Sequence, residues 1–268
     1  MKIVASDDAQ LRYEHAPRPG VPALLFINAL GAALEMWDDQ IEAVNERFEC
    51  VRYDARGHGK STTGTRAELS IEQLARDALA VLDASGIARA HLCGISLGGM
   101  TAMHIARHWP DRVLKLVLCN TAAHMPTKEN WQTRIDAVRA QGLATVTEGT
   151  LERWFTPEFH AAHPDKVDRI RQMLLRADPR GYAACAAAIR DMDQRESIGA
   201  ITANTLVIAG SKDPATAPAH AEFIASKIAG AKLVTLDCQH LSNVERAAEF
   251  NATLLDFLAA ESVPAPGT

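Results

Sequence analysis

The pentapeptide Gly94-Ile95-Ser96-Leu97-Gly98 constrains this chain more than any other stretch. A short apolar run, Ala90 to Cys93, leads into it, and Met100 to His108 follows with apolar residues at helical spacing, stopping before Pro110. The order strand, tight turn, helix puts the serine on a sharp reversal where the backbone passes close to itself on both sides. Glycine on either side is what that approach requires, because a Cβ would occupy the gap. The serine at the apex sits in strained backbone. The helix behind it aims free N–H groups and its positive dipole end at the hydroxyl, a setting that favours negative charge on an attacked carbonyl oxygen. Flanked in this way, Ser96 is a candidate nucleophile; the glycines alone would mark only an ordinary turn.

The remainder alternates in the same manner. Strand-like runs occur at Ala23 to Asn28, Glu49 to Tyr53, Ala90 to Cys93, Leu114 to Cys119, Thr205 to Ala209 and Leu233 to Leu236. Amphipathic segments at Trp37 to Phe48 and Ser70 to Ala84 separate the first three, and Ser70-Ile71-Glu72-Gln73 resembles a capping box. This alternation predicts an α/β fold with a mostly parallel central sheet flanked by helices. Between residues 122 and 197 the strand period is absent, and Trp131, Trp154, Phe155 and Tyr182 stand among many charges. That stretch is expected to be a helical cap inserted into a core made of residues 1–121 and 198–268. A chain of 268 residues with 47% hydrophobic content can bury one such core. Pro264 to Thr268 reads as a frayed tail.

A serine hydroxyl needs a base to remove its proton and an acid to hold that base in the right tautomer. Open α/β sheets carry such groups on the loops beyond the carboxyl ends of strands. Asp213 lies in such a loop, Gly210-Ser211-Lys212-Asp213-Pro214, and His240 in another, Cys238-Gln239-His240-Leu241-Ser242. Asp237 is the main competing acid. His91, His104 and His108 lie in or near the elbow strand and helix, where packing or surface roles suffice; His124, His160 and His163 fall in the cap. His58 belongs to the turn-rich Asp54-Ala55-Arg56-Gly57-His58-Gly59-Lys60-Ser61, whose polar groups are expected to satisfy their own backbone. The five cysteines form no Cys-x-x-Cys pair and read as buried free thiols; Cys238 lacks an elbow of its own. Oxyanion donors are expected at the backbone N–H groups of Leu97 and of Leu30, in the loop Phe26 to Gly31, unless that loop is a simple glycine-ended turn.

Several classes of function are disfavoured. The formal net charge is −5 and no run of Lys or Arg stands out, so nucleic acid is not an expected partner. No apolar run approaches the ~20 residues of a membrane span, and the N-terminal residues lack an apolar signal core. A cytoplasmic protein acting on a small molecule is expected, with homo-oligomerisation left open. No histidine and carboxylate cluster has metal-ligand spacing, and Ser96 occupies the turn where a dinucleotide loop needs open backbone, so neither metal nor cofactor is expected.

The segments Phe26-Ile27-Asn28-Ala29-Leu30-Gly31, Asp54 to Ser61 and Gly94 to Met100 resemble the α/β-hydrolase superfamily. Leu118-Cys119-Asn120-Thr121-Ala122-Ala123, Trp131-Gln132-Thr133-Arg134-Ile135, Glu152-Arg153-Trp154-Phe155-Thr156, Gly181 to Asp191 and His240-Leu241-Ser242-Asn243-Val244-Glu245 resemble, more narrowly, the 3-oxoadipate enol-lactonases. Two small departures are Ala29, where many relatives carry serine, and Cys238-Gln239, where alanines are common. The resemblance implies a triad of Ser96, Asp213 and His240 and the hydrolysis of a carboxylate-bearing enol-lactone in aromatic catabolism. A carboxylate calls for a guanidinium, and Arg134 is one helical turn beyond Trp131, so both would share a face of a cap helix. Trp154 and Met100 are further pocket candidates, with plain packing as the competing role. A general carboxylesterase, a carbon–carbon bond hydrolase and a ligand receptor on the same fold remain alternatives.

Overall fold

Two of the expected strands, Ala23–Ile27 and Ala90–Ile95, are buried along their whole length, which requires helices on both faces of the sheet they join. The computed structural model, which describes residues 1–260, shows that arrangement. Eight strands are present: β1 (Lys2–Ser6), β2 (Ala9–Ala16), β3 (Ala23–Ile27), β4 (Glu49–Tyr53), β5 (Ala90–Ile95), β6 (Val113–Cys119), β7 (Asn204–Gly210) and β8 (Lys232–Leu236). They run in the order β1-β2-β4-β3-β5-β6-β7-β8. From β4 to β8 every pairing is parallel; β1 with β2 and β2 with β4 are antiparallel. The six strand-like runs are therefore strands, Glu49–Tyr53 with the expected ends and the others shifted by one or two residues, and the N-terminal pair is an addition. Its absence from the sequence reading has a physical cause: β1 is largely exposed, and β2 buries Arg12 against Glu35 and Asp54, so neither shows an apolar alternation.

The helices are α1 (Asp38–Val44), α2 (Ile71–Ala84), α3 (Leu97–His108), α4 (Lys128–Gln141), α5 (Ala144–Trp154), α6 (Pro157–Ala162), α7 (Pro164–Arg176), α8 (Pro179–Asp191), α9 (Pro218–Lys227), α10 (Ser242–Glu245) and α11 (Ala247–Ala259). The segment expected as one helix over Trp37 to Phe48 is shorter, a 3-10 turn at Leu34–Trp37 running into α1. At Ser70 only half of a capping box forms. Its hydroxyl accepts from Gln73 N–H, but the Gln73 side chain turns to the buried Asp77 instead of returning to Ser70. Asn28, expected to end β3, has already left the strand: its amide donates to Tyr53 O and accepts from Trp37 Nε1, turning the chain across the top of the sheet.

Helices α4 to α8 all fall between β6 and β7. The two ends of this insertion meet, since His124 bridges Asp193 and Gln194 N–H donates to Ala123 O at 2.8 Å. It is tied back to the core at Asp178, whose N–H donates to Gly57 O (2.7 Å), and at Trp154, whose carbonyl accepts from Leu241 N–H (3.2 Å). Among the described residues all five cysteines are free and buried, and no helix is long and apolar enough to cross a membrane. Pro264 to Thr268 lie outside the described residues.

Candidate active site

Ser96 stands between the end of β5 and the start of α3 with φ 56° and ψ −118°, a left-handed backbone conformation that costs of order 1–3 kcal/mol for a residue with a Cβ. Its neighbours hold it there. Ser96 N–H donates to Cys119 O (3.0 Å), and Ser96 O accepts from Met100 N–H (3.0 Å) and from the Thr121 hydroxyl (2.7 Å). A Cβ at Gly94 would lie 2.3 Å from Gly98 O, and one at Gly98 would lie 2.0 Å from Ile27 O. Both glycines are thus demanded by close backbone approach, and the second approach is to β3, the strand that leads into the Leu30 loop.

His240 is only 2% exposed, and its Nδ1 lies 2.8 Å from Asp213 Oδ2. Asp213 is also buried and is saturated with donors. Oδ1 accepts from Ala215 N–H (2.8 Å) and Thr216 N–H (3.0 Å), while Oδ2 accepts from the Thr216 hydroxyl (2.7 Å) and Asn120 Nδ2 (3.0 Å) besides the imidazole. Burial pushes the Asp213 carboxyl up, but His240 and these donors outweigh it and hold the group down at about 2. Asp213 is therefore an ionised acceptor, and the histidine nitrogen facing it carries the proton. The other nitrogen, Nε2, is left as the basic one. The competing acid, Asp237, is exposed and engages Lys212 (2.9 Å) and Arg246 instead.

Asn120, which the sequence marks only as one residue of the Leu118–Ala123 segment, organises this corner. It adopts φ 42°, and its amide spans Asp213, Gln239 O (3.1 Å) and the Ser242 hydroxyl (2.6 Å). Glu245 ties the histidine loop to the end of α5, accepting from Gln239 N–H (3.0 Å) and from the Thr156 hydroxyl.

Ser96 and His240 open on one cavity of about 370 Å³, between the carboxyl edge of the sheet and the helical insertion. Leu30, Met100, Trp131, Arg134 and Trp154 all line it. The Trp154 ring lies over the imidazole, with centroids 6.2 Å apart and planes at 32°. Leu97 is buried beside the cavity as the first residue of α3. The backbone N–H groups of Leu30 and Leu97 have no acceptor among the described residues, which leaves both free for a ligand oxygen.

Arg134 does share the cavity with Trp131, its guanidinium carbon 6.0 Å from the indole centroid. Its Nε donates to Tyr182 Oη (2.8 Å) and its Nη2 to Thr150 Oγ1 (2.6 Å), neither of which is an anion. A second guanidinium, which the sequence reading missed, lines the same wall: Arg153 Nη2 lies 3.5 Å from the same Thr150 Oγ1. Burial and then the neighbouring Arg134 charge both push Arg153 below its usual range. Elsewhere most half-buried arginines have carboxylate partners, as Arg52 has Glu14 and Asp38, the exception being Arg107 on α3, which does not line the cavity. Among the described residues these two have none. Also among the described residues, no group of three or more His, Cys, Asp or Glu side chains is arranged to hold a metal ion.

A sequence profile of the alpha/beta hydrolase fold matches residues 22–247. Among curated proteins, 3-oxoadipate enol-lactonase 2 of Acinetobacter baylyi is 37% identical over 248 residues, covering 92% of each sequence. Among solved structures, the enol-lactonase from Burkholderia xenovorans superposes with a TM-score of 0.94 at 37% identity, over 97% of this chain and 100% of that one. A hydrolase from Pseudomonas aeruginosa superposes with a TM-score of 0.93 at 41% identity, over 97% and 98% of the two chains.

Proposed function

We propose that this chain, which belongs to the α/β-hydrolase fold family and within it to the 3-oxoadipate enol-lactonases, opens the ring of 3-oxoadipate enol-lactone to give 3-oxoadipate. Membership makes it an ester-hydrolysing enzyme; the substrate and the residues that act on it are the proposal. The observation that carries the substrate is the pair Arg134 and Arg153, two guanidiniums without an anion, facing a cavity that also holds a half-buried serine and a buried histidine. Two like charges converging on one hydroxyl repel each other, and a substrate carboxylate placed between them relieves that repulsion and adds charge-assisted hydrogen bonds.

In this reading Ser96 Oγ attacks the lactone carbonyl while His240 Nε2 takes its proton, and Asp213 keeps the imidazole in the Nδ1–H tautomer and stabilises the imidazolium that forms. The oxyanion is received by the N–H groups of Leu30 and Leu97. The ring C–O bond breaks, the enolate leaves with the proton from His240, and the substrate remains bound to Ser96 as an acyl ester. Water activated by the same histidine then releases the new carboxylate, and the enol becomes the ketone. An enolate is stabilised by conjugation, so the leaving group needs no metal. Residues 122–197 act as a cap that brings Trp131 and Trp154 over the ring and excludes water.

The test compares the acidic lactone with its neutral methyl ester. The reading expects kcat/KM at least ~10-fold higher for the acid, an advantage lost in Arg134→Gln, since one charge-assisted bond is worth about 1.5–3 kcal/mol. Equal turnover of both would replace the enol-lactonase assignment with that of a general carboxylesterase.

A further inference from the structure

His58 enters the sequence as part of a turn expected to satisfy its own backbone, and half of it does so: Nδ1 lies 2.8 Å from Arg56 O, so Nδ1 carries a proton and donates it. The other half reaches across the fold. Gly31 N–H donates to His58 Nε2 at 2.8 Å, between residues 27 positions apart, with the ring only 1% exposed. One tautomer satisfies both bonds, the neutral ring with its proton on Nδ1. Burial holds His58 below its usual pKa, against the smaller opposing pull of Arg56 O and the Asp178 carboxylate; the Tyr182 ring packs on its face with centroids 6.3 Å apart.

Gly31 follows Leu30, which lines the cavity and whose N–H has no acceptor among the described residues. It has φ +86°, and a Cβ there would lie 2.4 Å from Leu174 Cδ2, so its backbone is pressed between the insertion and the core. Leu30 N–H belongs to the Ala29–Leu30 peptide, whose carbonyl accepts from Ala32 N–H (3.1 Å), and the next peptide, Leu30–Gly31, is held by His58, so these two bonds set the backbone on both sides of Leu30. We infer that His58 is a positioning residue for the oxyanion site: as a neutral acceptor for Gly31 N–H it fixes the Leu30–Gly31 peptide and, through the Leu30 backbone, the orientation of the preceding peptide whose N–H meets the reacting carbonyl oxygen. The inference rests on the serine reading above. A protonated His58 would present a donor to a donor, turn the Leu30–Gly31 peptide away and so release the backbone of Leu30.

The test separates the two hydrogen bonds of the ring. In His58→Gln the side-chain oxygen reaches the place of Nε2 and still accepts from Gly31. In His58→Asn the shorter amide reaches only the place of Nδ1 and still donates to Arg56 O. Each variant loses one bond, so a merely structural role predicts equal damage. The positioning role predicts His58→Gln within about 3-fold of wild-type kcat for p-nitrophenyl acetate, and His58→Asn lower by about 10- to 100-fold. That range lies at or below the ~10²–10³ lost when an oxyanion donor is removed outright. KM should move by less than about 3-fold in both, since the contact strengthens only as charge develops. A neutral ester keeps this result independent of lactone specificity, and full activity in Ser96→Ala would bring down the serine reading and this inference with it. Equal kcat in the two variants, or a deficit in His58→Asn that merely tracks its loss of folded protein by circular dichroism, overturns the inference.

Discussion

Replacing Asp213 by Asn changes one atom and should remove almost all activity, for reasons that can be traced donor by donor. Oδ1 of Asp213 faces two backbone N–H groups, from Ala215 and Thr216, which cannot turn away. The asparagine oxygen must therefore stay on that side, and the NH2 group is forced onto the side that now receives Asn120 Nδ2, the Thr216 hydroxyl and His240 Nδ1. The Thr216 hydroxyl can rotate to accept. His240 can meet the new donor only by giving up the proton on Nδ1, which moves it to Nε2 and leaves no base for Ser96. Asn120 Nδ2 is left facing another donor, a buried mismatch of about 1–3 kcal/mol in stability. The expected loss in kcat is about 10⁴-fold, as for a triad histidine in the wrong tautomer, with the fold retained. Stopped-flow hydrolysis of the lactone and of p-nitrophenyl acetate, beside thermal unfolding, measures both. Asp237→Asn is the control: Asp237 is spent on Lys212 and Arg246, so kcat should be unchanged. An Asp213→Asn enzyme within 10-fold of wild type, or a large loss in Asp237→Asn, would refute the reasoning.

Three further outcomes follow from the same geometry. Arg153→Met should raise KM for the acidic lactone by about 10-fold or more while leaving a neutral ester almost unchanged, because only an anion uses the pair Arg134 and Arg153; steady-state kinetics on the two substrates decides it. Gly98→Ala would put a Cβ 2.0 Å from Ile27 O, backbone that cannot yield, so urea denaturation should show a loss of at least about 3 kcal/mol or no folded protein; near-native stability would contradict the close approach. Asp213, held down at about 2 from the ordinary 3.8, contributes stability in full above pH ~4 and loses it as pH falls through about 2, a contribution of about 2 kcal/mol. Unfolding measured from pH 5 downward should thus fall more steeply for the wild type than for Asp213→Asn, and parallel curves would remove that assignment.

The core strands and the serine turn were legible because each is written locally. A strand buried on both faces is a run of apolar residues, and the close passage at the elbow excludes every residue but glycine at two positions. The N-terminal hairpin was not legible, because β2 buries a charge against charges and so looks like surface. Arg153 failed for the converse reason. In sequence it is one more basic residue near the end of a helix, and only the fold shows that no carboxylate reaches it. Asn120, Thr216 and the Gly31 to His58 bond are contacts across 24 to 122 positions, with no spacing to announce them. Arg134 and Trp131 could be placed together because one helical turn separates them, and the rest of their wall, Thr150, Arg153 and Tyr182, comes from other helices.

The most direct measurement is the loss of ultraviolet absorbance of freshly generated 3-oxoadipate enol-lactone on mixing with the purified enzyme, wild type beside Ser96→Ala. The proposal predicts fast first-order loss with the wild type and the uncatalysed rate with the variant. A wild-type rate no faster than buffer, or a variant as fast as the wild type, would contradict it.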